Sequence, residues 1–157
     1  MTLDIWDIAK FLLVTVSPIS ELRGGIPLGI YLGLLPWSAF LIAVIVNTLI
    51  FFPIFFVLPL LYDKFLTRIP LFDKYLDSLR KRGKAKVDKY GFWALLFFVA
   101  VPLPITGVYT ATILAWLLDM DWRRAFLPVA VGVVIAGVIV LLGYLGVVEV
   151  FSIFAKN

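Results

Sequence analysis

Histidine, cysteine and glutamine are absent from this chain, and asparagine occurs only at positions 47 and 157. Without cysteine there are no disulfides, thiol nucleophiles or thiolate metal ligands. Without histidine there is no zinc site of the usual His/Cys kind and no imidazole acid–base catalysis. Charge is scarce as well. Only 15% of the residues are Asp, Glu, Lys or Arg, against about 25% in an ordinary soluble domain. What fills the chain instead is apolar: 63% of the residues are hydrophobic and the mean hydropathy is +1.08. That balance identifies an integral membrane protein. At 157 residues a dozen-span transporter is excluded, because each span takes about 20 residues plus a connection. A single membrane domain over 1–157 is expected. Asp4 and Asp7 precede the first apolar run, where a signal peptide needs positive charge, so residues 1–16 are expected to belong to the mature protein.

The charges that are present set the topology. Nine of the 14 Lys and Arg residues fall between Tyr62 and Gly91, and Arg123 and Arg124 add two more. Basic loops stay in the cytoplasm, so 62–91 and 119–124 are expected on the same inner face. Trp37–Leu61 and Ala125–Val148 are long enough, at about 36–37 Å, to cross a hydrocarbon core of roughly 30 Å. Ile26–Leu35 and Phe92–Leu103 reach only about 15 and 18 Å. Each Pro/Gly-broken stretch is therefore expected to be a re-entrant hairpin: residues 3–35 with a tip near Ser17–Gly25, and residues 92–118 with a tip near Pro102–Gly107. The competing arrangement, one kinked span over 92–118, puts Arg123 and Arg124 on the opposite side from 62–91, against the charge rule. With two hairpins, both termini lie outside.

A shift of 86 residues lays Phe11 on Phe97, Pro18 on Pro104, Ile19 on Ile105, Ser20 on Thr106 and Phe40 on Phe126. The expected fold is all-α, with two inverted repeats (1–61 and 92–157), each a re-entrant helical hairpin followed by a full transmembrane helix. Inverted repeats with broken helices near the midplane are the architecture of secondary transporters. Between them, Phe65, Ile69, Phe72, Leu76 and Leu79 recur at helical spacing, interrupted once by Pro70. This is expected to be a basic amphipathic helical connection on the inner membrane surface.

Glu21 and Arg23 lie inside the apolar stretch Ser17-Pro-Ile-Ser-Glu-Leu-Arg-Gly-Gly-Ile-Pro27. An ionisable residue at membrane depth costs about 2.5–3.5 kcal/mol on insertion scales and marks a functional site by default. A buried ion pair that only fixes the hairpin tip is the alternative. In the functional arrangement Gly24 and Gly25 turn the chain and Pro27 opens the returning arm near Ile26, so that free N–H groups and a positive dipole end face the tip. Pro102 and Pro104 break the second hairpin, Thr106 caps its returning arm, and Gly107 follows. Two helix N-termini and Arg23 then make an anion site for phosphate or carboxylate, with Thr110 near it. Glu21 either orients Arg23 or takes up a proton and couples transport. Asn47 and Thr112 are expected chiefly as interhelical hydrogen-bond residues. Tyr109 and Tyr31 are cavity-lining or packing aromatics. Arg123 and Arg124 are interfacial anchors that can gather a headgroup at the cytoplasmic entrance. No cofactor and no metal site is expected.

The stretch "SPISELRGGIPLGIYLG" resembles the first hairpin of the small multidrug export protein family, and the similarity runs over nearly the whole chain. More distantly the chain is similar to the DedA superfamily, also called the SNARE-associated or VTT group. Ser20, Glu21 and Pro27 match its first re-entrant loop, and "DMDWRRAF" at 119–126 its Tyr-Arg-Arg-Phe stretch. Where that superfamily carries arginines at the second tip, this chain has Val101-Pro-Leu-Pro-Ile-Thr-Gly107, so a two-arginine site does not carry over. The resemblance implies inverted re-entrant hairpins and movement of phosphate-bearing lipids.

Three functions from different classes follow. The leading expectation is a transporter that translocates an anionic phosphate-bearing lipid (a polyprenyl phosphate or phospholipid) between leaflets, coupled to protons or sodium. The second is export of small amphipathic or cationic compounds, with Glu21 as counter-charge. The third is a non-transporting membrane assembly factor. An enzyme is not expected, since no nucleophile–base arrangement is present. Expected partners are membrane lipids and a second copy of the chain, and no nucleic acid.

Overall fold

The computed structural model describes residues 4–61, 89–102 and 106–155. All regular structure among them is helical: α1 (Ile5–Val16), α2 (Glu21–Tyr31), α3 (Pro36–Leu61), α4 (Lys89–Ala100), α5 (Val108–Leu117) and α6 (Trp122–Ala155). Two short helices and a long one thus occur twice in succession. The connection expected over 62–91 lies outside the described residues as far as 88, as does Pro104.

Local chemistry sets the ends. α1 stops at Ser17, which is extended (φ −62, ψ 130) because the following Pro18 disfavours a helical residue before it. α2 closes through Gly33 at φ +103, a left-handed position that glycine takes without a Cβ clash, and Leu34 N–H donates to the Gly29 carbonyl at 2.9 Å. The Asp121 carboxylate accepts from Arg123 N–H at 2.8 Å and caps α6.

The start of α2 is a correction. The arm expected to begin near Ile26 begins at Glu21, so Gly24, Gly25 and Pro27 lie within the helix. The turn after Pro18 is already helically bonded: Glu21 N–H donates to Ser17 O at 2.9 Å and Gly24 N–H to Ser20 O at 3.1 Å. The glycines supply close packing instead. Gly25 lies against the Thr15 side chain, and a Cβ on Gly29 would fall 2.8 Å from the Phe11 ring. Pro27 removes one i→i−4 bond without ending the helix, as Pro53, Pro59 and Pro128 do in the long helices.

These contacts fix the directions of the elements. Gly25 faces Thr15 and Gly29 faces Phe11, so α1 and α2 form an antiparallel hairpin. Gly29 also meets Ala39 near the start of α3, while Asn47 Nδ2 donates to Thr15 O at 3.3 Å. The hairpin therefore has its base beside the start of α3 and its tip halfway along it. α3 and α6 run antiparallel: Phe40 packs on Gly137, Phe52 on Phe126 at 4.9 Å and Phe56 on Trp122 at 6.2 Å. α4 ends against the first half of α6, with Leu96 and Val99 at Gly132. α2 packs on both α3 and α6, and α5 likewise on both, so each returning arm touches the long helix of the other half as well as its own.

Small residues make these approaches possible. Ala39, Ala43, Ala111, Ala115 and Ala125 are fully buried, as expected where dispersion between close backbones, not expulsion of water, holds helices together. At 1.5 Å per residue α3 is about 39 Å long and α6 about 51 Å, against about 18 Å for α1. Among the described helices only α3 and α6 can cross a bilayer of about 30 Å. Leu41, Leu49, Leu127 and Leu142 are all more than half exposed on them, which requires an apolar surrounding. This is a helical membrane protein.

Candidate functional site

The tip of the α1–α2 hairpin meets the start of α5. Glu21, at the head of α2, has φ +47, a left-handed conformation that costs a non-glycine residue roughly 1–2 kcal/mol. The residue is 6% exposed, and its carboxylate reaches across to the N-terminus of α5. There Oε1 accepts from Tyr109 N–H at 3.5 Å, with Val108 N–H beside it. Gly107, the N-cap of α5, has extended backbone at φ 178, so a larger residue would be conformationally acceptable. Space is what glycine provides: a Cβ would lie 2.5 Å from Glu21 Cδ and Oε1. A buried carboxylate is tolerable only with donors around it, and the open N–H groups and positive end of α5 supply them.

Arg23 reaches the residues just after α4 and just before α5. Its guanidinium donates to the Thr106 carbonyl, to Thr106 Oγ1 at 3.3 Å and to the Val101 carbonyl at 3.5 Å, and it attracts the Glu21 carboxylate. Thr106 was expected to cap α5. It instead donates back to Val101 O at 3.0 Å, and Gly107 holds the cap position. Tyr109 ties α5 to the first hairpin, since its N–H meets Glu21 and its hydroxyl donates to the Val16 carbonyl. Ser20 Oγ donates to Val14 O at 2.6 Å.

The expected anion site is thus altered in one respect. Two open N-termini were anticipated. The first turn of α2 is joined to the preceding turn, and the N-terminus of α5 carries the chain's own carboxylate. Glu21, Arg23, Thr106 and Gly107 come together; Gly24 and Gly25 lie behind them, packed on Ser20 and Thr15. Thr110 is half-buried in the first turn of α5. Thr112 donates to Val108 O at 2.5 Å within its own helix. Pro18 is exposed and Pro102 half-buried beside the tips. Tyr31 is 78% exposed at the end of α2, away from the site. Arg123 and Arg124 are exposed at the start of α6, Arg123 stacking over Trp122 at 5.2 Å, at the end of the molecule where α3 finishes.

Asn47 is fully buried. Nδ2 donates to Thr15 O at 3.3 Å and Ala43 O at 3.1 Å, whereas buried Oδ1 has no partner among the described residues. Such an orphaned acceptor costs about 1–3 kcal/mol.

The close contact of Gly107 with Glu21 went unanticipated, although a shift of 86 residues places Gly107 on Glu21. The carbonyls of Val14, Val16 and Val101 carry no side-chain signal at all. No curated protein and no solved structure matches the chain. A family model does, over residues 21–139, from the site glutamate to about the middle of α6, and on that match the chain belongs to the family described as "Putative small multi-drug export protein".

Proposed function

We propose that the chain is a transporter, not an enzyme, that moves an amphiphile bearing a phosphate or carboxylate across the membrane, a polyprenyl phosphate or phospholipid being the leading substrate. The observation that carries this is the Glu21 carboxylate on the N-terminus of α5, with Arg23 held by the Thr106 carbonyl beside it. A site that accommodates one oxyanion is built for another. When Glu21 takes up a proton it gives up its claim on the α5 N–H groups, a substrate oxyanion takes its place, and Arg23 turns from the carbonyls to the anion. Proton uptake and substrate entry are thereby coupled at one carboxylate.

The proposed topology is a pair of inverted repeats with re-entrant hairpins, 62–91 and 119–124 cytoplasmic and both termini outside. Supporting it are the antiparallel course of α3 and α6, the half-length α1–α2 hairpin, and the reciprocal packing of α2 on α6 and α5 on α3. Arg123 and Arg124 then stand at the cytoplasmic entrance and gather headgroups. The resemblance to the DedA superfamily favours a lipid substrate.

The family description favours a second reading, export of small amphipathic cations with Glu21 as counter-charge. Against it, Glu21 is already served by backbone donors and by Arg23. Trans-leaflet exchange of a polyprenyl phosphate in proteoliposomes separates these readings. Exchange is expected with the wild type and is expected to collapse in folded Arg23→Ala and Glu21→Gln variants. Cation export without lipid exchange refutes the anion reading. Neither transport, with Glu21→Gln affecting stability alone, makes the chain an assembly factor.

A further inference from the structure

The short arms α2 and α5 start head to head and run to opposite ends of α3. α2 leads from Glu21 to Gly29 at Ala39, near the start of α3. α5 leads from Tyr109, at Glu21, to Leu117, close in the chain to Trp122, which packs on Phe56 near the end of α3. Each arm closes on a left-handed residue, Gly33 at φ +103 and Asp119 at φ +57. The hydrogen bonds there match as well: Leu34 N–H donates to Gly29 O at 2.9 Å and Met120 N–H to Ala115 O at 3.0 Å. Each arm also sends a side chain from its first turn to the helix that precedes the other arm. Arg23 of α2 donates to the Val101 carbonyl just past α4, and the Tyr109 hydroxyl of α5 donates to the Val16 carbonyl that ends α1. A shift of 86 residues lays Arg23 on Tyr109 and Gly33 on Asp119. The crossing and the left-handed end therefore recur at the same places in both arms.

The two crossings differ in strength. Arg23 is charged and reaches Thr106 O, Thr106 Oγ1 and Val101 O, and a charge-assisted hydrogen bond is roughly twice as strong as a neutral one. Tyr109 gives a neutral hydroxyl bond to an accessible acceptor, since Val16 is 43% exposed. That bond breaks without unpacking a buried side chain, which is what a locally opening joint requires. We propose that the Tyr109 hydroxyl is a releasable clasp on the Val16 carbonyl. When it lets go, α5 swings on Asp119 and its first turn withdraws from Glu21, while Arg23 holds the end of α4 through Val101. Residues at the end of an element, such as Asp119, are where a rotation of this kind is absorbed. The clasp works whatever the chain carries.

The test uses the absence of native cysteine. Val108 is 1% exposed in the first turn of α5, and Val133 is fully buried in α6. Maleimide reaction rates are measured for Val108→Cys and Val133→Cys singly, in the full chain in lipid nanodiscs, with and without Tyr109→Phe. That substitution keeps the ring and removes the donor. Losing one neutral hydrogen bond at the clasp is expected to raise the Val108→Cys rate about fivefold and to leave Val133→Cys unchanged. Should Val108→Cys not fold, amide hydrogen exchange of the cysteine-free chain reads the same opening, as a rise over 106–112 without one over α3. Unchanged reactivity of Val108→Cys, or unchanged exchange over 106–112, would overturn the proposal. Equal acceleration at both positions would overturn it too, because Tyr109 would then serve the packing of the whole fold. No substrate enters either measurement, so the clasp stands or falls apart from the transport reading.

Discussion

Replacing Gly107 by alanine puts a methyl group into the space of the Glu21 carboxylate, 2.5 Å from Cδ and Oε1. The backbone at φ 178 accepts alanine without strain, so the whole effect falls on Glu21. Two terms contribute. Overpacking a filled site costs about 1–3 kcal/mol. Displacing the carboxylate from Tyr109 N–H forfeits a charged hydrogen bond, about 1.5–3 kcal/mol, and the two overlap because moving Glu21 relieves the clash. A loss of about 2–4 kcal/mol is therefore expected. The diagnostic is the double-mutant cycle with Glu21→Ala, measured by reversible unfolding in mixed detergent micelles. With the carboxylate gone, the methyl group enters free space and Gly107→Ala is expected to be close to neutral. The coupling energy should then exceed about 1 kcal/mol, well above the roughly 0.3–0.5 kcal/mol scatter of independent sites. Equal costs of Gly107→Ala in both backgrounds would show that Glu21 does not sit on the α5 cap, and the proposed oxyanion site would go with it.

Two further outcomes follow from the fold. Gly33 closes α2 at φ +103 with open space around it, so Gly33→Ala is expected to lose about 1 kcal/mol from backbone strain alone; the same unfolding assay reads it, and no loss would mean that α2 ends otherwise. The absence of native cysteine allows Leu34→Cys and Met120→Cys to be labelled singly. Because α3 and α6 are antiparallel and Phe56 lies at Trp122, the two positions are expected to react with an impermeant maleimide from opposite sides. Labelling from one side would refute the antiparallel crossing of α3 and α6.

Membrane character, two full-length helices and two broken stretches were legible in the residues themselves. Composition demands an apolar solvent, and helix length is arithmetic on uninterrupted apolar runs. Trp37–Leu61 lies within α3 and Ala125–Val148 within the longer α6. Glu21 and Arg23 stood out as well, because charge at membrane depth is costly enough to be conspicuous. The role of Gly24, Gly25 and Pro27 was not legible. Gly-Gly and Pro usually punctuate a chain, but here the preceding turn already supplies the helical bonds, and the glycines serve close packing on Thr15 and Ser20.

What the sequence alone determined is therefore what depends on each residue's cost in lipid: where the chain spans, where it breaks, and which two charges need partners. Only the tertiary structure decided who those partners are. Glu21 meets Tyr109 at a distance of 88 residues and Arg23 meets Thr106 at 83, and the groups they meet are backbone N–H and C=O. Every residue carries those groups, so no pattern of side chains announces them. They become a site only when the start of α2 is brought against the end of α4 and the start of α5, as α2 and α5 both pack between the two long helices.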